Sequence, residues 1–198
     1  AMDQNALEAY RTVASLDTTD ARSTLAAAQI LLDRIVVDSV TPLDSAAVAL
    51  ADTLLQQTVA RDSSPPIRLN VAVLYLRPAS EFARNQHGQL AADWAQKTVD
   101  NATAGASFNP DAGQQLIEQG NFWLGLSLVG IASGAYRDAF EAESCDLVSG
   151  AEEMVSRGRS ALVAGAGVSP PTAQQMLGFY QQMADNLPLM REQFGCSS

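Results

Sequence analysis

The one histidine of the chain, His87, lies in Arg84-Asn85-Gln86-His87-Gly88-Gln89. A histidine acts as a general base only when a nucleophile or a second acid is brought within hydrogen-bond reach. No serine or cysteine nucleophile motif accompanies it, so an exposed loop histidine between two helices is expected. Glu141, Glu143, Glu152 and Glu153 contain the raw material for a carboxylate pair. Adjacent positions such as 152 and 153 diverge around a helix, so these read as a solvated face. Lys97 is the only lysine, and Arg84 with Lys97 is the one cationic pair suited to an anionic substrate. Ala164-Gly165-Ala166-Gly167 precedes a helix start, yet it lacks the fixed grammar of a phosphate loop and the strand before it. It reads as a connector. There is no ExxH di-iron pair and no P-loop. Asn101-Ala102-Thr103 fits a glycosylation sequon, relevant only in a eukaryotic source. No catalytic residue is therefore expected.

Cys145 and Cys196 stand outside any CxxC or Cys/His cluster. A zinc site on them is not expected, nor is any other metal or cofactor. A disulfide is the better use of an isolated pair, and it implies an oxidising compartment. Helical arithmetic supports the pairing. From Cys145 to the glycine connector is ~30 Å at 1.5 Å per residue, and the return from Pro170 to Cys196 is ~39 Å. Gly195 can fold the tail back over that difference. Ala1-Met2-Asp3 reads as an artificial junction from which a natural leader has been removed. The expected location is periplasmic or secreted.

Hydrophobic residues make up 47% and charged residues 17%, enough apolar material to build a core rather than a disordered chain. The 198 residues suit one domain, 1–198, or a short array of small units. The formal net charge of −10 repels phosphate backbones and anionic lipid. Nucleic acid and membrane surfaces are therefore poor partners.

Four places pair a capping residue with proline: Thr41-Pro42, Ser64-Pro65, Asn109-Pro110 and Ser169-Pro170. The side-chain oxygen accepts from a free first-turn amide, and proline tolerates the next position because its missing N–H has no partner there. Apolar stripes of helical period follow each start. Another, through Leu25, Ile30 to Leu32, Ile35 and Val40, follows Asp17-Thr18-Thr19-Asp20. Pro78 is expected to end or kink one helix and Pro188 to bend the last. No segment alternates as a strand would. The fold class expected is all-α, with about eight helices in antiparallel pairs and short loops.

Residues 121–136, NFWLGLSLVGIASGAY, carry no charge. Sixteen residues fall short of the ~20 that a spanning helix needs, and Glu118 and Arg137 flank them closely. Membrane insertion is not expected. Within this stretch Trp123, Leu126 and Ser127 are followed by Gly134-Ala135-Tyr136, then Ala139, Phe140 and Leu147. This order resembles one tetratricopeptide-type (TPR-like) helical hairpin over about residues 120–151. Gly130, Glu143 and Asp146 depart from that family's usual residues. The resemblance implies a turn at Gly134 to Tyr136; in a further departure no proline closes the unit, and the second helix is expected to run on to about Val163. It also implies a TPR-like superhelix or short α-solenoid, and a surface that binds a protein or peptide. Asn121, Leu124 and Leu128 would line that surface.

The expected function is thus a non-catalytic, exported helical-repeat protein that binds a protein or peptide partner in the cell envelope. The alternative is a compact helical-bundle enzyme, or a small-ligand-binding protein with a pocket between helices.

Overall fold

The computed structural model describes residues 20–37 and 41–196, together with Glu8 and Thr12. Residues 17–19, Val40 and the first three residues lie outside it. Seven helices and no strands occur among the described residues, against about eight helices expected for the whole chain. They are α1 (Ala21–Leu32), α2 (Ser45–Arg61), α3 (Pro65–Arg84), α4 (Gly88–Gly105), α5 (Pro110–Ala142), α6 (Cys145–Ala164) and α7 (Pro170–Phe194).

Three of the four expected proline starts occur, one of them with the expected side-chain cap. Pro65, Pro110 and Pro170 each open a helix as expected. Asn109 alone of these three starts caps through its side chain, which accepts from the Ala112 amide at 3.2 Å. Thr41-Pro42 opens nothing. The chain stays irregular until Asp44, whose carboxylate accepts from the Ala47 amide at 2.9 Å and starts α2 at Ser45. An ionised carboxylate is a strong partner for a free first-turn amide, so the start moves to it. Asp20 caps α1 through the amides of Arg22 and Ser23. Hydrogen bonds from Ser23 hold the Asp20 carboxyl below the usual carboxylate range. Pro78 and Pro188 end no helix: α3 continues to Arg84 and α7 to Phe194.

The larger correction concerns the uncharged stretch. The corner expected at Gly134 to Tyr136 is absent. Both residues lie inside α5, a single helix of 33 residues. The reversal comes at Glu143, in the left-handed region with φ 49°, and α6 begins two residues later. The second helix therefore runs from Cys145, not from Tyr136. Glycine lowers helix propensity by only ~1 kcal/mol. Here Ala132 and Ala139 are both fully buried on one face of α5, so packing carries the helix past Gly134. Phe140 and Leu147, expected as apolar packing positions, are instead exposed.

Each helix packs on the next in sequence, and further contacts reach only the next but one: α1 on α3, α3 on α5 and α5 on α7 by close backbone approach, α2 to α4 and α4 to α6 through side chains. Consecutive helices run antiparallel where their contacts define a direction. Phe82 meets His87 and Tyr75 meets Trp94 across α3 and α4. Gly113 faces Ala106, and Gly120 faces Val99, across α4 and α5. Two main cores result. One surrounds Leu55, Tyr75, Phe82 and Trp94; the other surrounds Phe122, Val155, Leu162 and Tyr180. α5 serves both, with Leu124 and Leu128 in the first and Phe122, Ala132 and Ala139 in the second.

Close approach of backbones is built on absent side chains. A Cβ on Gly125 would stand 2.7 Å from the Leu162 amide nitrogen of α6. Opposite, Gly158 of α6 leaves the space that the Tyr180 ring occupies. The Tyr180 hydroxyl thus reaches past α6 and donates to the Gly125 carbonyl at 2.7 Å. At the other end, Asp52 of α2 joins the first hairpin to the rest. Its Oδ1 accepts from the Tyr75 hydroxyl at 2.9 Å and from Lys97 Nζ at 2.6 Å. Burial pushes both phenols well above their ordinary value of 10, and the Asp52 charge adds to the effect at Tyr75.

Two glycine substitutions separate a continuous α5 from a turn at its middle. Gly134→Ala meets open space and should raise stability by about 0.5–1 kcal/mol. A left-handed turn there would make the same change destabilising. Gly125→Ala must push α5 and α6 apart and should lower stability by about 1–3 kcal/mol. Denaturant melts of both variants decide this.

Alkaline titration gives a second test. Both phenols have folded-state values above the unfolded one. Their burial thus contributes stability that is complete below pH ~10 and is lost as pH rises above it. Tyr75 and Tyr180 should form phenolate only together with loss of helical circular dichroism. Ionisation of every tyrosine in the still-folded chain would contradict this burial.

Candidate functional site

A concavity of about 540 Å³ lies between α6 and α7. On α6 it is lined at positions 152, 155, 156, 159, 160 and 163, a single stripe at spacings of three and four. On α7 it is lined at 184, 187 and 188, spaced likewise. Val155 and Leu187 are buried and form the floor. Val163, 58% exposed, stands on the rim with Ser156, Arg159 and Ser160. A buried apolar floor beneath a mixed rim that exposes Val163 suits a ligand with an apolar face and polar edges.

One end of the groove is held firmly. Beyond Glu152, Cys145 at the start of α6 is disulfide-bonded to Cys196 just past α7. Gly195, with φ 67°, turns the chain back to reach it. This is the pairing expected from helix lengths. Arg191 adds a bidentate ion pair: its Nε and Nη2 donate to the two Glu152 carboxylate oxygens at 2.7 and 2.8 Å. The hydrogen bond from Arg191, helped by the opposite charge, holds that guanidinium above its ordinary range. Arg159 makes no ion pair among the described residues, so the rim of the groove carries one uncompensated cation.

The residues expected to line a binding face do not form one. Leu124 and Leu128 are 3% and 2% exposed and belong to the first core. Asn121, one helical turn before Leu124, is half-buried and does not line the groove. With α5 central to the array, both flanks of its uncharged stretch are covered by neighbours, so its apolar residues are spent on packing. His87 is half-buried rather than exposed. Its ring packs edge-on to Phe82 at 6.2 Å between centroids, where it closes the α3–α4 turn. Arg84 and Lys97 do not converge. Arg84 lies over the Trp123 ring at 5.1 Å, whereas Lys97 turns to Asp52. Of the glutamates, Glu152 is the only one paired across helices; Glu153 points away, exposed, as adjacent helical positions require.

Gly165 of the supposed connector has a packing role: a Cβ there would stand 2.2 Å from the Phe122 amide nitrogen. Among the described residues no group of three or more His, Cys, Asp or Glu side chains is placed to hold a metal ion. None of the described helices is long and apolar enough to cross a membrane. The uncharged stretch of α5 is interior packing.

The groove residues carry little signal in the sequence. The stripe at 155, 156, 159, 160 and 163 mixes Val, Ser and Arg, and reads as an ordinary solvated helix face. Its partner stripe on α7 is fixed only by how the two helices cross.

Comparison with protein families, with curated proteins and with solved structures finds no match to this chain.

The disulfide closes a loop of 51 residues, so chain entropy sets its contribution at about 4 kcal/mol, with about 2–4 typical of measured bridges. Replacing both cysteines by serine should lower stability by that amount and make the thermal midpoint insensitive to reductant. A wild-type midpoint that ignores reductant would show that the bridge contributes nothing.

Proposed function

We propose that this chain is a non-catalytic helical array, a short α-solenoid, that binds a protein or peptide partner in the α6–α7 groove. The observation that carries the reading is the groove itself: an apolar floor between two helical stripes, its end clamped by a disulfide and a bidentate ion pair. Two antiparallel helices with such a floor accept an amphipathic helix laid between them, with apolar anchors at positions three and four apart. Arg159 on the rim favours a partner with an acidic residue flanking the anchors. The packing order supports an array too, since no helix contacts one more than two places away in the chain. The disulfide supports an exported protein that works in an oxidising compartment such as the cell envelope.

Selection from a displayed library of amphipathic helical peptides tests the reading. Enriched peptides should carry spaced apolar anchors. They should perturb the backbone resonances of Val155, Val163 and Ala184, and lose about tenfold or more in affinity to Val163→Asp/Ala184→Glu. Val163 is exposed, whereas Ala184 is half-buried against the second core, so Val163→Asp alone, which should melt near wild type, separates lost contact from lost packing. No enrichment, or peptides that bind the variant equally, would refute it.

A further inference from the structure

A second concavity, of about 380 Å³, lies where the α1–α2 hairpin meets α3 and α4, remote in sequence from the α6–α7 groove. Helices α2 and α3 touch sparsely, and the gap between them is bridged by side chains rather than backbone packing. Leu55 and Val59 of α2 form an apolar wall. Arg68 of α3 with Lys97 and Asn101 of α4 supplies the polar side, and Tyr75 completes the lining.

The charges in this cleft do not balance. Lys97 is compensated by Asp52, which it meets at 2.6 Å, and it spends one of its three donors there. Arg68 has no carboxylate partner among the described residues. Its Nη1 donates to the side-chain Oδ1 of Asn101 at 3.1 Å, which leaves most of its five N–H donors without a protein partner among the described hydrogen bonds. Asn101 is itself buried, and its amide donates to the Lys97 carbonyl at 2.8 Å. The Asn101 side chain is therefore fixed, and it holds the guanidinium in one orientation. In a chain of net charge −10, an oriented, half-buried guanidinium facing a half-apolar cleft without a counter-ion is a place suited to an anionic ligand.

We propose that this cleft binds a small organic monocarboxylate. Its carboxylate accepts a bidentate pair of hydrogen bonds from Arg68, and its short apolar body lies against Leu55 and Val59. A planar carboxylate matches the guanidinium fork, and one negative charge neutralises the single uncompensated positive charge. The volume sits at the lower end of ligand pockets, which restricts the apolar body to a short chain or a single ring. Because α2 and α3 are joined here mainly through side chains, an occupant also ties the first hairpin to the rest of the array.

Titration of the whole chain with hexanoate and benzoate, followed by amide and Arg side-chain resonances, tests the proposal. Hexanamide and inorganic phosphate serve as comparison ligands. Both carboxylates should shift the Arg68 Nε resonance and those of Leu55 and Val59, and should raise the thermal midpoint. Arg68→Gln should weaken binding by about tenfold or more, and hexanamide should bind correspondingly worse than hexanoate. Val59→Phe, which fills the apolar side and leaves Arg68 intact, should abolish binding of benzoate before that of acetate. It also keeps the test decisive if Arg68→Gln fails to fold. The proposal is overturned by absence of shifts with either carboxylate, by equal binding of hexanamide or phosphate, or by full retention in Arg68→Gln. The groove of α6 and α7 should not respond to these ligands, so its peptide selection stands or falls separately.

Discussion

The structure hangs on the close approach of α5 and α6 at Gly125, and on the hydroxyl of Tyr180 that reaches past Gly158 to the Gly125 carbonyl. Three helices are registered by this one arrangement. Gly125 lets the α6 backbone at Leu162 come within van der Waals reach of α5. Gly158 removes the side chain that would block the tyrosine ring. A buried phenol must find an acceptor, and a mid-helix carbonyl supplies it. The tyrosine thereby fixes how far α7 slides along α6, and with it the facing of Val155 and Leu187 that makes the groove floor. Steric constraints of this kind allow little adjustment, because packed interiors tolerate added methyl groups poorly.

Beyond that point the molecule is held by a few specific links at its ends. The disulfide and the Glu152–Arg191 pair close one end of the α6–α7 hairpin. Asp52 gathers Tyr75 and Lys97 at the other end of the array, where helix packing is sparse. The two concavities sit beside these links. That is where side-chain bridges replace backbone packing and leave room between helices.

Much of the architecture was readable from local chemistry. Proline after a capping residue marked three of four helix starts, and helical apolar periods marked the rest. The disulfide was expected because the two cysteines stand outside any metal motif, and helix lengths made it feasible. The misreadings share one cause. Gly134-Ala135-Tyr136 has the residues of a turn, yet Ala132 and Ala139 bury on one face and carry α5 straight through. Thr41-Pro42 has the residues of a start, yet Asp44 offers a better cap a few residues on. Leu124 and Leu128 were assigned to a surface because a hairpin there would have exposed them. In both helix-boundary errors a local preference worth about 1 kcal/mol competed with tertiary burial or a stronger neighbour, and lost.

Sequence by itself therefore determined the all-helical class, most helix starts, and the absence of a membrane-length apolar run in the described helices, and it made a Cys145–Cys196 bridge the expected use of the two cysteines, which the structure then showed. These depend on short-range sterics, capping and period, all written within a few residues. Only the tertiary structure decided that both flanks of the uncharged stretch are covered, that Lys97 shares its cleft with Arg68 rather than Arg84, and that mixed faces of α6 and α7 enclose a groove. Those outcomes depend on how glycine-lined helices cross one another, and a crossing is set jointly by residues tens of positions apart.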